Sequence, residues 1–125
     1  MTIQGALDFA DRMKPNSMTK EEKLFFLNEI EGKVHVEIIM KHVHTQAEEQ
    51  RPVIDNDTDP ASELLVPDAY AKLYGFYLMA QIDLQNQEID KYNNDIALFN
   101  TAWEDFSDHW TEGHMPLTAR DRYRI

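Results

Sequence analysis

The chain contains no cysteine. That excludes disulfides, thiolate metal sites and cysteine nucleophiles together, and it suits a reducing compartment. Glycine is scarce, at four residues, and none belongs to a phosphate-cradling loop or a nucleophile elbow. No apolar run approaches the roughly 20 residues that span a bilayer. The opening Met1-Thr2-Ile3-Gln4-Gly5 lacks the basic and hydrophobic regions of a signal peptide. A soluble, cytoplasmic protein is the expectation. Bases are also few: 12 Lys and Arg face 23 Asp and Glu, for a net charge of −11. Such a surface repels phosphate, which argues against specific nucleic-acid binding.

What remains is enough for one modest core. The chain has 125 residues, 42% of them hydrophobic, which fits a single folded domain rather than two. The strongest pattern runs from Ile89 to Trp110. Ile89, Tyr92, Ile96, Phe99, Trp103, Phe106 and Trp110 follow at alternating steps of 3 and 4, which aligns them on one seam of an α-helix. Five of these seven are aromatic, so the seam needs a wide partner surface. Asp90, Asn93, Asn94, Asp95, Asn100, Glu104 and Asp105 lie between them and are expected to face water. Three heptads of seam are short for a free coiled coil. The pattern predicts a helix at the core of a small bundle.

Three further helices are expected. The first covers about Ile3–Met13, with Ile3, Ala6, Leu7 and Ala10 on one stripe, and ends at Lys14-Pro15. The second starts after Thr19, where Thr19-Lys20-Glu21-Glu22 has the form of a capping box, and runs to about His44. Gly32 weakens it, and Val34–Ile38 also alternates with period two, so a strand is the alternative there. Residues 45–66 are rich in Pro, Asp and Asn and form a long irregular connection. Pro67 is expected as the first position of the third helix, which carries Tyr70, Leu73, Tyr74, Tyr77, Leu78 and Ile82. The lapse at Gln85-Asn86-Gln87 reads as a turn or kink, with a polar patch on one long helix as the alternative, and Gly113 and Pro116 close the fourth helix. The fold class is therefore all-α, three to four helices with a long loop between the second and third. Residues 1–116 form the domain and 117–125 a basic C-terminal tail.

Chemical signatures are weak. Asp55-Asn56-Asp57-Thr58-Asp59 imitates the start of a calcium loop, but Pro60 stands where glycine is required and Val66 where a bidentate glutamate belongs. Asp55, Asp57 and Asp59 are left as a weak cation site at most, with a solvated turn the simpler reading. His42 and His44, with Glu37, Glu48 or Glu49, form no recognisable ligand spacing. No carboxylate sits among apolar residues in a way that marks a raised pKa. No enzymatic activity, cofactor or metal is expected. The third helix has aromatics on more than one face, with Phe76 and Met79 turned away from Tyr70, Tyr74 and Tyr77. So wide an apolar arc is buried on two sides or meets another subunit. Residues 67–115 hold two bases and nine acids, whereas 116–125 hold Arg120, Arg122 and Arg124 against Asp121 alone. With Tyr123 among them, these arginines read either as a frayed terminus or as a segment that docks on an acidic neighbour. Phe76, Met79, Arg120, Arg122, Tyr123 and Arg124 are the candidate interaction residues.

The stretch Glu63-Leu64-Leu65-Val66-Pro67 is followed by Tyr70, Leu73-Tyr74, Tyr77-Leu78, Ile82-Asp83, Asn86 and Glu88. Tyr92-Asn93-Asn94, Phe99-Asn100, Trp103 and His114-Met115-Pro116 continue it. Together these residues resemble the small helical head–tail connector (adaptor) proteins of long-tailed phages and prophages of Gram-positive bacteria. The similarity covers roughly residues 20–116 and is densest over 63–116. The resemblance implies a non-enzymatic subunit that forms a ring with copies of itself below the portal, around the DNA channel. Its implied partners are the portal and other neck or tail proteins, and its implied places are the host cytoplasm during assembly and the virion neck. The competing reading from the residues is a monomeric or dimeric helical regulator that binds another protein through the seam.

Overall fold

The computed structural model describes residues 1–117. Helix α1 (Ile3–Met13) begins where the Thr2 hydroxyl accepts from the Gly5 N–H at 2.9 Å, meeting one of the donors a first turn leaves open. Its buried residues are the expected stripe, Ile3, Ala6, Leu7 and Ala10. Helix α2 (Lys20–Val34) is capped by Thr19, which accepts from Glu22 N–H at 3.1 Å and donates to the Glu22 carboxylate at 3.2 Å.

Helix α2 does not run to His44. After Val34 the backbone widens into one π-turn, His35–Ile39, with the Met40 N–H bonded to the His35 carbonyl at 2.9 Å. Adjacent residues on an ordinary α-helix point about 100° apart; here neighbouring Ile38 and Ile39 are both buried, which the wider turn permits. Helix is then replaced by an extended pairing. Val43 N–H donates to the Met115 carbonyl at 2.7 Å and Leu117 N–H to the Lys41 carbonyl at 2.8 Å. The strand alternative for Val34–Ile38 is therefore not realised.

The long connection is tied down along its length. One short 3₁₀ turn covers Ala47–Glu49. The Asn28 side-chain oxygen accepts from Arg51 Nη1 at 2.8 Å and from Ile54 N–H at 3.0 Å. Leu64 N–H donates to the Met1 carbonyl at 2.9 Å, and Ile54, Leu64 and Val66 are buried. Pro67 precedes a 3₁₀ turn, Asp68–Tyr70, and helix α3 (Lys72–Gln85) starts only after it. The turn absorbs the change of direction that Pro67 was expected to begin as helix.

Helix α3 is the centre of the bundle, packed by α1, α2 and the last helix, α4 (Ile89–Gly113). That is why its apolar residues surround the axis: Leu73, Tyr74, Tyr77, Leu78, Met79 and Ile82 are all buried. Contact with α1 is close enough to demand glycine, since a Cβ on Gly75 would stand 2.2 Å from Phe9 Cδ1. At the far end Gln87 takes a φ of 59°. Gln87 N–H reaches the Leu84 carbonyl at 3.0 Å and Glu88 N–H the Asp83 carbonyl at 2.9 Å, the bonding of a Schellman turn with glutamine in the usual glycine position.

The α4 seam lies at the edge of the core rather than in its middle. Phe106 and Trp110 are buried, Tyr92, Ile96, Phe99 and Trp103 are half-buried, and Ile89 is 56% exposed. Helix α4 lies along α3, and it meets the π-turn and the 68–70 turn as well. Phe106 and Trp110 sit at the covered end. The described residues form an all-helical bundle, with isolated extended pairings only at Thr2–Glu63 and His42–Pro116.

Candidate interaction surface

Because α4 rests on α3 as an outer helix, both its flanks are open. On the α1 side a groove of about 340 Å³ has Phe76, Leu98 and Ala102 as apolar lining and Lys72 and Asp105 as charged lining. It continues toward the end of α4 into a shallow, acidic stretch. There the rings of Tyr70 and His109 stack at 4.5 Å with 22° between their planes, beside Asp105, Asp108 and Glu112. On the α2 side a second groove of about 220 Å³ runs between Tyr77, Phe99 and Trp103, with Lys33 and Glu37 at its rim. Phe99 and Trp103, at 5.8 Å between ring centres, are only half covered.

Phe76 is half-buried; it lines the first groove while packing edge-on against Phe9 at 6.3 Å. Met79 does not turn outward. It is 4% exposed, because α3 is packed by α1, α2 and α4; for Met79 the wide apolar arc means burial on two sides rather than a subunit contact. Arg120, Arg122, Tyr123 and Arg124 lie outside the described residues. The preceding Leu117 donates its N–H to the Lys41 carbonyl at 2.8 Å.

The acidic turn is occupied with its own backbone. Asp55 Oδ1 accepts from Asp57 N–H at 2.9 Å, and Asp59 Oδ1 from Ala61 N–H at 2.9 Å. Among the described residues no group of three or more His, Asp or Glu is arranged to hold a metal ion. His42 and His44 serve the extended pairing instead. His42 Nδ1 bonds the Ile38 carbonyl at 2.6 Å, its Nε2 meets Thr111 Oγ1 at 3.0 Å, and His44 Nδ1 bonds the His42 carbonyl at 2.6 Å.

Two buried carboxylate sites went unread in the sequence. Asp83 and Asp95 are 1% and 6% exposed and share one cation, Lys14 Nζ, at 3.2 and 3.1 Å. Asp95 was expected to face water, yet it stands three residues after Tyr92 and four before Phe99, a spacing that puts it beside the seam. That was the available signal. Burial, then the neighbouring Asp95 carboxylate, pushes Asp83 up to about 6. Burial also opposes the Lys14 ammonium, but Asp95 and Asp83 outweigh it and raise its pKa. The second site is Glu31, whose carboxylate accepts from the Tyr74 hydroxyl and, at 2.9 Å, from Leu65 N–H. Burial raises Glu31 despite these bonds, and burial followed by the Glu31 charge raises Tyr74. Both sites join helices, Asp83 and Asp95 through Lys14 and Glu31 through Tyr74, whereas the open grooves lie along α4. No helix among the described residues is long and apolar enough to cross a membrane. Comparison with protein-family models, curated proteins and solved structures finds no match for this chain.

Proposed function

We propose that this chain is a structural subunit of the head–tail connector of a long-tailed phage or prophage, assembling with copies of itself into a ring below the portal. The observation that carries the reading is the half-covered aromatic and aliphatic face along α4, where Leu98, Phe99 and Trp103 lie beside open grooves. A helix covered on one side only, with half-covered rings along one flank and Leu98 beside Phe76 along the other, has the surface that subunit contacts use. The resemblance over residues 63–116 names the assembly. The net charge of −11 supports a role beside DNA without adhesion to it, because an acidic wall repels the phosphates passing it. Under this reading the protein needs no cofactor and catalyses no reaction; it meets itself, the portal and other neck proteins in the host cytoplasm and then in the virion neck.

The α2-side groove equally suits a regulator that binds one helix of another protein, with Phe99 and Trp103 as anchors. Mass measurement separates the two. The connector reading expects a multi-copy ring, formed either by the concentrated chain or on addition of a portal. A chain that stays monomeric with portal present overturns it.

A further inference from the structure

We infer that the α1-side groove of one copy receives the C-terminal segment 118–125 of a neighbouring copy. The inference rests on the self-assembling reading above and identifies the contact that joins the subunits.

Three observations converge on this occupant. The first is chemical complementarity. The acidic end of the groove offers the stacked Tyr70–His109 pair beside Asp105, Asp108 and Glu112. A guanidinium is recognised by an aromatic face together with carboxylates. The segment beyond Leu117 reads Thr-Ala-Arg-Asp-Arg-Tyr-Arg-Ile and holds three of the five arginines in the chain. Of the other two, Arg12 lies over the Phe9 ring and Arg51 bonds Asn28.

The second is pattern. In an extended strand successive side chains point to opposite sides. Docked in that form, Arg120, Arg122 and Arg124 share one side while Tyr123 and Ile125 share the other. The groove offers both kinds of surface along its length, apolar at Phe76, Leu98 and Ala102 and acidic at Asp105, Asp108 and Glu112. Lys72, on the α3 side, is the one base among these lining residues and disfavours the reversed placement.

The third is position. Leu117 is paired to Lys41, and the next residue of that strand, His42, touches Thr111 of α4. At about 100° per residue, Leu98, Asp105 and His109 lie roughly 120–160° around α4 from Thr111. The described chain therefore ends on one flank of α4 while the groove opens on the other. Eight residues reach at most about 28 Å, and rounding a helix about 10–12 Å across to reach their own groove would use roughly 17 Å of that, leaving about three residues to fill it. A neighbouring copy meets no such obstacle. Tail on one flank and groove on the opposite flank make a heterologous, head-to-tail contact, the kind that closes into rings.

The absence of cysteine makes a direct test available. A Leu98→Cys chain and a Tyr123→Cys chain are mixed, alone at high concentration and together with a portal, and oxidised. An intermolecular disulfide between the two variants is expected, reduced at least tenfold when Arg122→Glu and Arg124→Glu are added to the tail chain, and restored by Asp105→Lys and Asp108→Lys in the groove chain. Val53→Cys, exposed on the 45–66 connection, serves as the comparison and should cross-link no better than random encounter. A disulfide that forms only within a Leu98→Cys/Tyr123→Cys double variant places the tail in its own groove and overturns the inference. No specific disulfide in either arrangement also overturns it. Portal-dependent assembly without the cross-link removes the groove contact and keeps the connector reading; the cross-link without portal assembly does the reverse.

Discussion

At the residue scale the clearest tension is at Gln87. Its φ of 59° is a left-handed conformation that costs an L-residue with a side chain about 1 kcal/mol more than glycine. The Schellman bonds of Gln87 and Glu88 hold it there, because the tight α3–α4 turn requires that conformation. Gln87→Gly should therefore raise the unfolding free energy by about 0.5–1 kcal/mol, read as a higher urea midpoint at unchanged slope. An unchanged or lowered midpoint would show that the glutamine side chain contributes something the backbone does not explain. The sequence marked this position as a turn through its lapse of apolar pattern. It could not show the hand of the backbone, since no glycine advertised it. Glu31 was hidden for a related reason: its partners, Tyr74 and Leu65, lie 43 and 34 residues away.

At the element scale, Lys14, Asp83 and Asp95 join the end of α1 to the facing ends of α3 and α4. Two carboxylates and one ammonium leave one negative charge in excess, and burial makes that unfavourable. Asp83 accordingly rises from 3.8 to about 6 on folding. A raised acid binds its proton more tightly in the folded chain, so its contribution is fully present below 3.8 and is lost as pH rises through about 6. Glu31, also raised by burial, has the same sign. Asp11 and Glu48 are lowered, so their opposite contributions change below the ordinary carboxylate values rather than in this window. Urea unfolding should thus show that Asp83→Asn gains stability relative to the parent at pH 7 and loses that advantage progressively as pH falls through about 6 toward 3.8. An advantage that stays constant with pH would mean that Asp83 remains ionised throughout. The helices themselves were legible at this scale from caps, spacing and breakers. The early end of α2 was not, because the pairing of 41–43 with 115–117 that replaces its last turns joins distant parts of the chain.

At the scale of the whole molecule, the described bundle runs to Leu117. Removing residues 118–125 leaves the Lys41–Leu117 and Val43–Met115 bonds in place, so the monomer's melting temperature should change by less than about 2 °C, equivalent to a few tenths of a kcal/mol. Self-association measured by mass should weaken strongly. A large fall in melting temperature would instead assign the tail to the fold. By itself the sequence determined that the described residues are helical, where α1 and α4 lie, that α3 turns into α4 near Gln87, and that the net charge is acidic. These are properties of local spacing and composition, and they need no knowledge of distant neighbours. Tertiary structure decided which apolar faces are covered. The 3–4 seam of α4 is compatible with a core or a surface, and its half-exposure follows from α3 taking the central place between α1, α2 and α4. The same packing buried Met79, closed Asp83 and Asp95 around Lys14, and left the flank with Phe76 and Leu98 open. Periodicity orients side chains about one helix axis; only the arrangement of several axes determines which of them meet water.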